Sequence, residues 1–224
     1  MAGVTGGGRF TSRLLARTWL SGDTFEIELE RPAGFRFVPG QGIRVSRGAL
    51  EREYTLVSGP DDERLSLCVQ RLPRGVLSSA LAELHIGTGL SLSGPHGYFL
   101  FQPTQAPPLF IATGTGIAPF VSMVRAGARG FSLLHGAATQ ADLHYRTRVQ
   151  AAADLYVGCL SRERPGEPGQ PWKFSGRVTH YLRDRLSPGT FDFYLCGRRA
   201  MVRDVVSIVD ERFPGSRVFF EIFF

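Results

Sequence analysis

The sequence predicts an α/β protein of two domains: an antiparallel β-barrel, then a parallel sheet covered by helices. Three observations carry this. The chain has 224 residues, which allows one large or two small domains of about 100–200 residues each. From Phe10 to about Phe101 the apolar residues alternate with polar ones and turn residues interrupt them often. After the three prolines of Gln102–Pro108, short apolar runs alternate with helical stretches, the signature of a parallel α/β sheet. The predicted division is a loose tail at 1–8, a barrel domain at 9–102, a linker at 103–108 and an α/β domain at 109–224.

In the first half, Phe25, Ile27 and Leu29 alternate with Glu26, Glu28 and Glu30, and Leu65, Leu67 and Val69 with Ser66, Cys68 and Gln70. A period of two places one set on a buried sheet face. Turns are predicted at Arg31–Gly34, Pro39–Gly42, Gly59–Asp62 and Gly94–Gly97, where glycine and proline cluster. Many short strands so punctuated close best as a small barrel. One helix is expected there, Leu77–Leu84. In the second half, strands are predicted at Leu109–Thr113, Phe131–Leu134, Leu155–Leu160, Phe191–Leu195 and Val218–Phe224. Helices are predicted after Gly116 (with Pro119 in the first turn), at Ala141–Ala153, Thr179–Leu186 and Met201–Arg212. Arg162–Gln170 reads as a polar loop.

Composition narrows the function. With 43% hydrophobic and 21% charged residues the bulk of the chain has enough apolar material for real cores. No apolar run approaches the roughly 18–20 residues of a membrane span, and Met1–Gly8 lacks a signal-peptide pattern, so a cytoplasmic chain that does not engage membranes is expected. Cys68, Cys159 and Cys196 are the only cysteines. They are too few for a four-thiolate cluster and too widely spaced for a zinc ribbon or a disulfide framework. The net charge is +6, almost all from scattered arginines, since Lys173 is the one lysine. Scattered charge argues against nucleic-acid binding and leaves a solvated surface or an acidic protein partner.

Four constellations carry chemistry. Arg52-Glu53-Tyr54-Thr55 stands before the Gly59-Pro60 turn. Gly75-Val76-Leu77-Ser78-Ser79 opens the one helix of the first half; it is either a phosphate site made of helix N-terminal amides or an ordinary serine-capped start. Thr113-Gly114-Thr115-Gly116 follows a strand and precedes a helix, as a pyrophosphate-binding βα turn does, although Pro119 stands where a third glycine would complete that fingerprint. Tyr194-Leu195-Cys196-Gly197 ends a later strand, where open parallel sheets bind ligands; otherwise Cys196 is a small buried hydrophobe.

Together, in this order, these elements resemble the ferredoxin–NADP reductase superfamily, above all the bacterial ferredoxin/flavodoxin–NADP reductases. Phe35–Gln41, Gly94-Pro95-His96-Gly97-Tyr98-Phe99, Leu195-Cys196-Gly197, Ser161-Arg162-Glu163 and the terminal aromatic pair add to the likeness, which runs from about Arg13 to Phe224. The resemblance implies a flavin-binding barrel followed by an NAD(P)-binding α/β domain. It implies FAD, with Arg52 on its pyrophosphate, Tyr54 along the ring, the Thr55 hydroxyl near flavin N5, and Gly75 opening a helix whose Leu77, Ser78 and Ser79 amides hold the diphosphate. It further implies that Thr113, Gly114, Thr115 and Gly116 hold the nicotinamide dinucleotide, with Cys196 and Gly197 against the nicotinamide. Glu221 is either the family's C-terminal acid, placing it with Thr55 and Cys196 as catalytic, or an exposed strand carboxylate.

Ser161 and Arg162, with Arg177, match the positions that take the 2′-phosphate of NADPH. Ala138 stands where close relatives often have an arginine, so NADH use is also open. Phe223 and Phe224 are expected over the flavin and its adenine, or else as core filling. The implied activity is hydride transfer from NADPH to FAD, then single-electron delivery to an acidic ferredoxin or flavodoxin by a monomer that holds no metal. The alternatives are a free-flavin reductase, an oxygenase reductase component, or a non-catalytic flavin-binding docking subunit.

Overall fold

The computed structural model describes residues 8–102, 106–163 and 170–223. Most of the predicted tail, half of the linker, much of the Arg162–Gln170 loop and Phe224 lie outside the described residues. The chain divides into two compact units, one up to Phe101 and one from Gln102.

The first unit holds strands β1 (Gly8–Trp19), β2 (Thr24–Glu30), β3 (Gly42–Arg47), β4 (Leu50–Thr55), β5 (Arg64–Gln70) and β6 (Gly89–His96), with helix α1 (Val76–Glu83) before the last strand. They form one sheet in the order β4-β3-β6-β1-β2-β5, antiparallel at every pair. Leu56 bridges to Leu67 and the Val57 amide donates to Ser66 O at 2.8 Å, which brings the two outer strands together and curls the sheet into a barrel. The alternation read from the sequence is the reason: Phe25, Ile27 and Leu29 lie opposite Val69, Leu67 and Leu65, and all six are buried. Helix α1 turns Leu77, Ser78, Leu81 and Ala82 inward. Gly8 is no part of a loose tail; it pairs with Gly94 at the start of β1.

The second unit runs β7 (Pro108–Thr113), α2 (Ala118–Arg125), β8 (Ser132–Ala137), α3 (Arg146–Ala152), β9 (Leu155–Leu160), β10 (Lys173–Ser175), α4 (Val178–Asp184), β11 (Asp192–Arg198), α5 (Arg199–Arg212) and β12 (Arg217–Phe223). The sheet order is β10-β9-β8-β7-β11-β12, parallel throughout. Pro108 opens β7 instead of ending the linker, as a proline can at the first position of a strand. The single helix expected over Ala141–Ala153 does not form. Thr139 and Asp142 cap each other around a short 3-10 turn at Gln140–Asp142, and Tyr145 takes a left-handed conformation (φ 59°) before α3 begins. Strand β10 was not expected. It exists because Gly158 of β9 leaves room for the Trp172 ring, which a side chain there would meet at 3.3 Å, and the Gly158 amide donates to Trp172 O at 2.7 Å.

The strand order has one reversal. From β7 the chain steps outward through β8, β9 and β10, then returns to lay β11 against the other side of β7. The carboxyl ends of β7 and β11 flank that reversal, and in open α/β sheets this crevice is where ligands sit. No helix among the described residues is long and apolar enough to cross a membrane.

Candidate functional site

Two sequence-distant segments meet at the reversal. β7 ends at Thr113, and Gly114 (φ 57°) turns the chain into a 3-10 turn over Gly114–Ile117 that continues as α2. Gly116 lies on the backbone of β11: a Cβ there would come within 2.3 Å of Cys196 O. Gly197 lies equally close to β7, since a Cβ on it would stand 2.2 Å from Thr113 Oγ1, and its φ of 141° disfavours any side chain. Thr113 Oγ1 accepts a hydrogen bond from the Arg198 amide at 3.3 Å. Thr113, Gly114, Thr115, Gly116, Cys196 and Gly197 therefore form one floor of closely packed backbone at the reversal, in which Gly114 is exposed, Thr113 and Thr115 are half-buried, and Gly116, Cys196 and Gly197 are buried.

β12 adds the chain end to this floor. In its parallel register Glu221 lies beside Cys196, Ile222 beside Gly197 and Phe223 beside Arg198. The Cys196 thiol points its sulfur at Glu221 Oε2, 3.9 Å away. Burial pushes the Cys196 thiol well above its usual range, and the Glu221 carboxylate pushes it further. Cys196 is thus held as a neutral thiol. Glu221 is half-buried, as is Phe223, so neither is a freely exposed surface group.

The far edge of the same sheet gathers the second set. Ser161 and Arg162 follow β9, and their amides donate to Ala137 O (3.1 Å) and Ala138 O (3.0 Å) at the end of β8. Gly176 follows β10 and its amide donates to Leu160 O at 2.9 Å, which sets Arg177, at the start of α4, beside the same corner. Ala138, Ser161, Arg162 and Arg177 are thereby neighbours across three strand ends. Sequence reasoning missed the rest of this corner. Lys173 pairs with Glu163 at 2.9 Å, and the Arg146 guanidinium lies 4.3 Å over the Trp172 ring. The only available signal was that Lys173 is the sole lysine.

In the first unit, Arg52 lies opposite Val45, and Tyr54 opposite Ile43. Opposed residues share a face, and Val45 and Ile43 face the core, so Arg52 and Tyr54 share that side. Helix α1 packs against β4. Tyr54 rests on the barrel core, and burial lifts its hydroxyl to about 12 despite the opposing effect of Arg52. Thr55 points the other way and is buried. Helix α1 starts at Gly75, whose extended backbone supplies no side-chain cap. The Ser78 hydroxyl bonds instead to the Leu72 amide and to Gly75 O, each at 3.2 Å.

One expected donor is corrected here. The Ser79 amide closes the first helical hydrogen bond to Gly75 O at 3.0 Å, so it does not face outward. The first-turn amides before it, including Leu77 and Ser78, have no partner within the helix. A groove of about 670 Å³ beside this helix start includes Arg47 and Arg74 in its lining, two further cations the sequence motifs did not single out.

These features fit the two groups the fold binds. An uncapped helix start beside arginines suits a diphosphate, and the strand ends at the sheet's reversal suit a dinucleotide. Residues 12–101 match the model of the oxidoreductase FAD-binding domain, and residues 110–207 that of the oxidoreductase NAD-binding domain. The chain is 34% identical over 215 residues to ferredoxin–NADP reductase B of Sorangium cellulosum, covering 86% of this chain and 88% of that one. It is 32% identical to the toluate 1,2-dioxygenase electron transfer component of Pseudomonas putida, over 75% of this chain but only 53% of that one. Its fold is that of a ferredoxin NADP⁺ reductase from Neisseria gonorrhoeae, solved with FAD and NADP bound (TM-score 0.83, 22% identity, covering 96% of this chain and 99% of that one). The chain belongs to the ferredoxin–NADP reductase superfamily, a flavin-dependent oxidoreductase with an FAD-binding domain and an NAD(P)-binding domain.

Proposed function

We propose that this chain oxidises NADPH and passes the electrons singly to a small acidic carrier protein, a ferredoxin or flavodoxin. The observation that carries this reading is the division of labour along the second unit's sheet: a floor of closely packed backbone at Thr113–Gly116 and Cys196–Gly197, at the reversal of strand order, and an arginine corner at Arg162 and Arg177. The redox chemistry, hydride uptake from a nicotinamide and release of single electrons, would be supplied by FAD when bound. The residues' part is to bind, orient and keep the reacting end dry.

Arg52 and the first-turn amides of α1 hold the FAD diphosphate; a planar guanidinium suits phosphate oxygens. Tyr54 offers its ring to the flavin face, and the Thr55 hydroxyl is a hydrogen-bond donor toward N5. Thr113, Gly114, Thr115 and Gly116 hold the nucleotide pyrophosphate, while Cys196 and Gly197 meet the nicotinamide. Glu221, beside Cys196, is an acceptor at that end. Ser161, Arg162 and Arg177 receive the 2′-phosphate, the one group NADH lacks. The relative from Sorangium, which shares most of its length with this chain, is named a ferredoxin–NADP reductase. The net charge of +6 suits an acidic carrier.

A second reading, the reductase of an oxygenase system, is favoured by the likeness to the toluate dioxygenase component, of which this chain spans about half the length.

The test is anaerobic reduction by NADPH and by NADH, followed by reoxidation with ferredoxins, flavodoxins and oxygenase components. Flavin bleached by NADPH and reoxidised fast by a ferredoxin or flavodoxin, with kcat/KM falling steeply as salt rises, supports the proposal. Reoxidation by an oxygenase component alone favours the second reading. Denaturation should release FAD, and Arg52→Ala should weaken its binding by about 1.5–3 kcal/mol; release of FMN overturns the diphosphate assignment.

A further inference from the structure

We propose that Glu163 is a positioning residue for coenzyme choice: from the loop after β9 it clasps the turn after β8 and strand β10, so that Arg162 and Arg177 are presented together to the 2′-phosphate. This rests on the reading above that these arginines take that phosphate.

Three contacts converge on Glu163, one from the turn after β8 and two from β10. Its Oε1 accepts the Gln140 amide, at the turn that follows β8. Its Oε2 pairs with Lys173 Nζ at 2.9 Å, at the first residue of β10. Its backbone carbonyl accepts the Ser175 hydroxyl at 2.9 Å, at the last residue of β10. The flanking amide bonds, Arg162 to Ala138 O and Gly176 to Leu160 O, complete the stitching. Strand β10 has only three residues, too few to fix a loop by its own ladder, so the side-chain contacts hold what the sheet does not. The ion pair is also sheltered. The Lys173 side chain is 15% exposed and that of Glu163 25%, whereas Arg162 and Arg177 are exposed. Lys173 and the Gln140 amide hold the Glu163 carboxyl below its usual range, so it is ionised at neutral pH.

A carboxylate one residue from a phosphate-binding arginine is otherwise a liability, because it repels the phosphate. Lys173 cancels that charge, so the clasp supplies order without a net opposing field. This separates the proposal from two simpler ones. If Glu163 were only a repelling charge, removing it would tighten phosphate binding. If the pair were only a surface ion pair, removing it would change nothing specific.

The test uses the FAD-loaded protein and two probes, adenosine 2′,5′-bisphosphate and AMP, which differ by the 2′-phosphate. Their affinities are measured by titration calorimetry, beside KM and kcat for NADPH and NADH. Glu163→Ala should weaken the bisphosphate about fivefold to tenfold, the loss expected for one ordinary hydrogen-bonded contact, and leave AMP, kcat and KM for NADH nearly unchanged. Lys173→Met, which leaves the carboxylate without its cation, should weaken the bisphosphate at least as much. Glu163→Gln keeps an acceptor for the Gln140 amide but loses the ion pair; it should fall between wild type and Glu163→Ala, and it stands in if the alanine variant does not fold. Tighter bisphosphate binding, or an equal loss of both probes, overturns the clasp. Arg162→Ala separates the two levels. If it affects both probes equally, the 2′-phosphate reading fails and takes the clasp with it. If it is selective while the Glu163 variants are not, the clasp alone is wrong.

Discussion

The centre and the edge of the second unit's sheet are held differently. At the centre, the ends of β7 and β11 meet through backbone: Gly116 on Cys196 and Gly197 on Thr113, with no space for a Cβ. At the edge, backbone amide bonds also join the strand ends, but side chains add to them, with Glu163 between Gln140, Lys173 and Ser175. Backbone contact cannot adjust, since moving it moves whole strands. Side-chain contact adjusts with one substitution. On the proposed assignment, the part of the dinucleotide site shared by NADH and NADPH is the rigid one, and the part that tells them apart is open to change.

The largest expected effect breaks the centre. Gly116→Ala places a methyl 2.3 Å from Cys196 O and should cost about 3 kcal/mol or more, read as a lower Tm with loss of nucleotide binding. Gly114→Ala is the contrast. Gly114 has φ 57° but open space around its Cβ position, so it should cost only about 1–2 kcal/mol. Equal losses would mean that conformation, not close approach, governs this floor.

The next effect lies between the two regions. His135 on β8 is flanked by Ala112 of β7 and Gly158 of β9. It is fully buried, its Nδ1 bonds the Tyr156 hydroxyl at 3.2 Å, and Nε2 has no partner among the described residues. Burial, with His144 adding to it, lowers its pKa to about 3. The folded state thus refuses a proton that the unfolded chain takes near pH 6.5. The unfolded state binds more protons below that pH, so stability falls as pH drops from about 6.5 towards 3. Urea titrations across that range should show the slope, and His135→Gln should flatten it. An unchanged slope would assign the acid sensitivity to other groups.

Phe223 sharpens the comparison at the centre. It lies beside Arg198 at the end of the floor. If its ring occupies the nicotinamide position, Phe223→Ala should tighten NADPH and NADH alike by about threefold to tenfold, the worth of one aromatic stack. Flavin difference spectra measure this. A lower Tm with unchanged affinity would make Phe223 a core-filling residue.

The smallest effect tunes the edge. Ala138 O already receives the Arg162 amide, so Ala138→Arg adds a third guanidinium beside Arg162 and Arg177. Its expected gain in NADPH over NADH preference is about twofold to fivefold, the range of a solvated charge pair. Comparing kcat/KM for the two coenzymes checks it, and no gain would place the phosphate away from Ala138.

Much of this was legible in the sequence, and the reason is periodicity. Alternation at Phe25–Glu30 and Leu65–Gln70 specified strands with one buried face, and those strands pair in register around the barrel core. The alternation of apolar runs with helical stretches specified a parallel sheet, and the glycines marked its ends, 114 where the chain turns and 116 and 197 where backbone packs on backbone. These are local signals, carried by residues within one turn or one strand of each other. What the tertiary structure alone decided lies between residues far apart in the chain. Gly116 is required by Cys196, eighty residues on. The helix expected over Ala141–Ala153 breaks because the Thr139–Asp142 cap and the Tyr145 turn outweigh a helical pattern. Ser79 gives its amide to the helix because of where α1 begins. Strand β10 has no propensity signal in three residues; it forms because Gly158 admits Trp172 and β9 offers a free edge. The Glu163 clasp follows from that strand, since only strand order brings Gln140 and Lys173 to opposite oxygens of one carboxylate. Local sequence fixes which elements can form, because backbone conformation depends on near neighbours; which side chains meet depends on the order in which the strands pack.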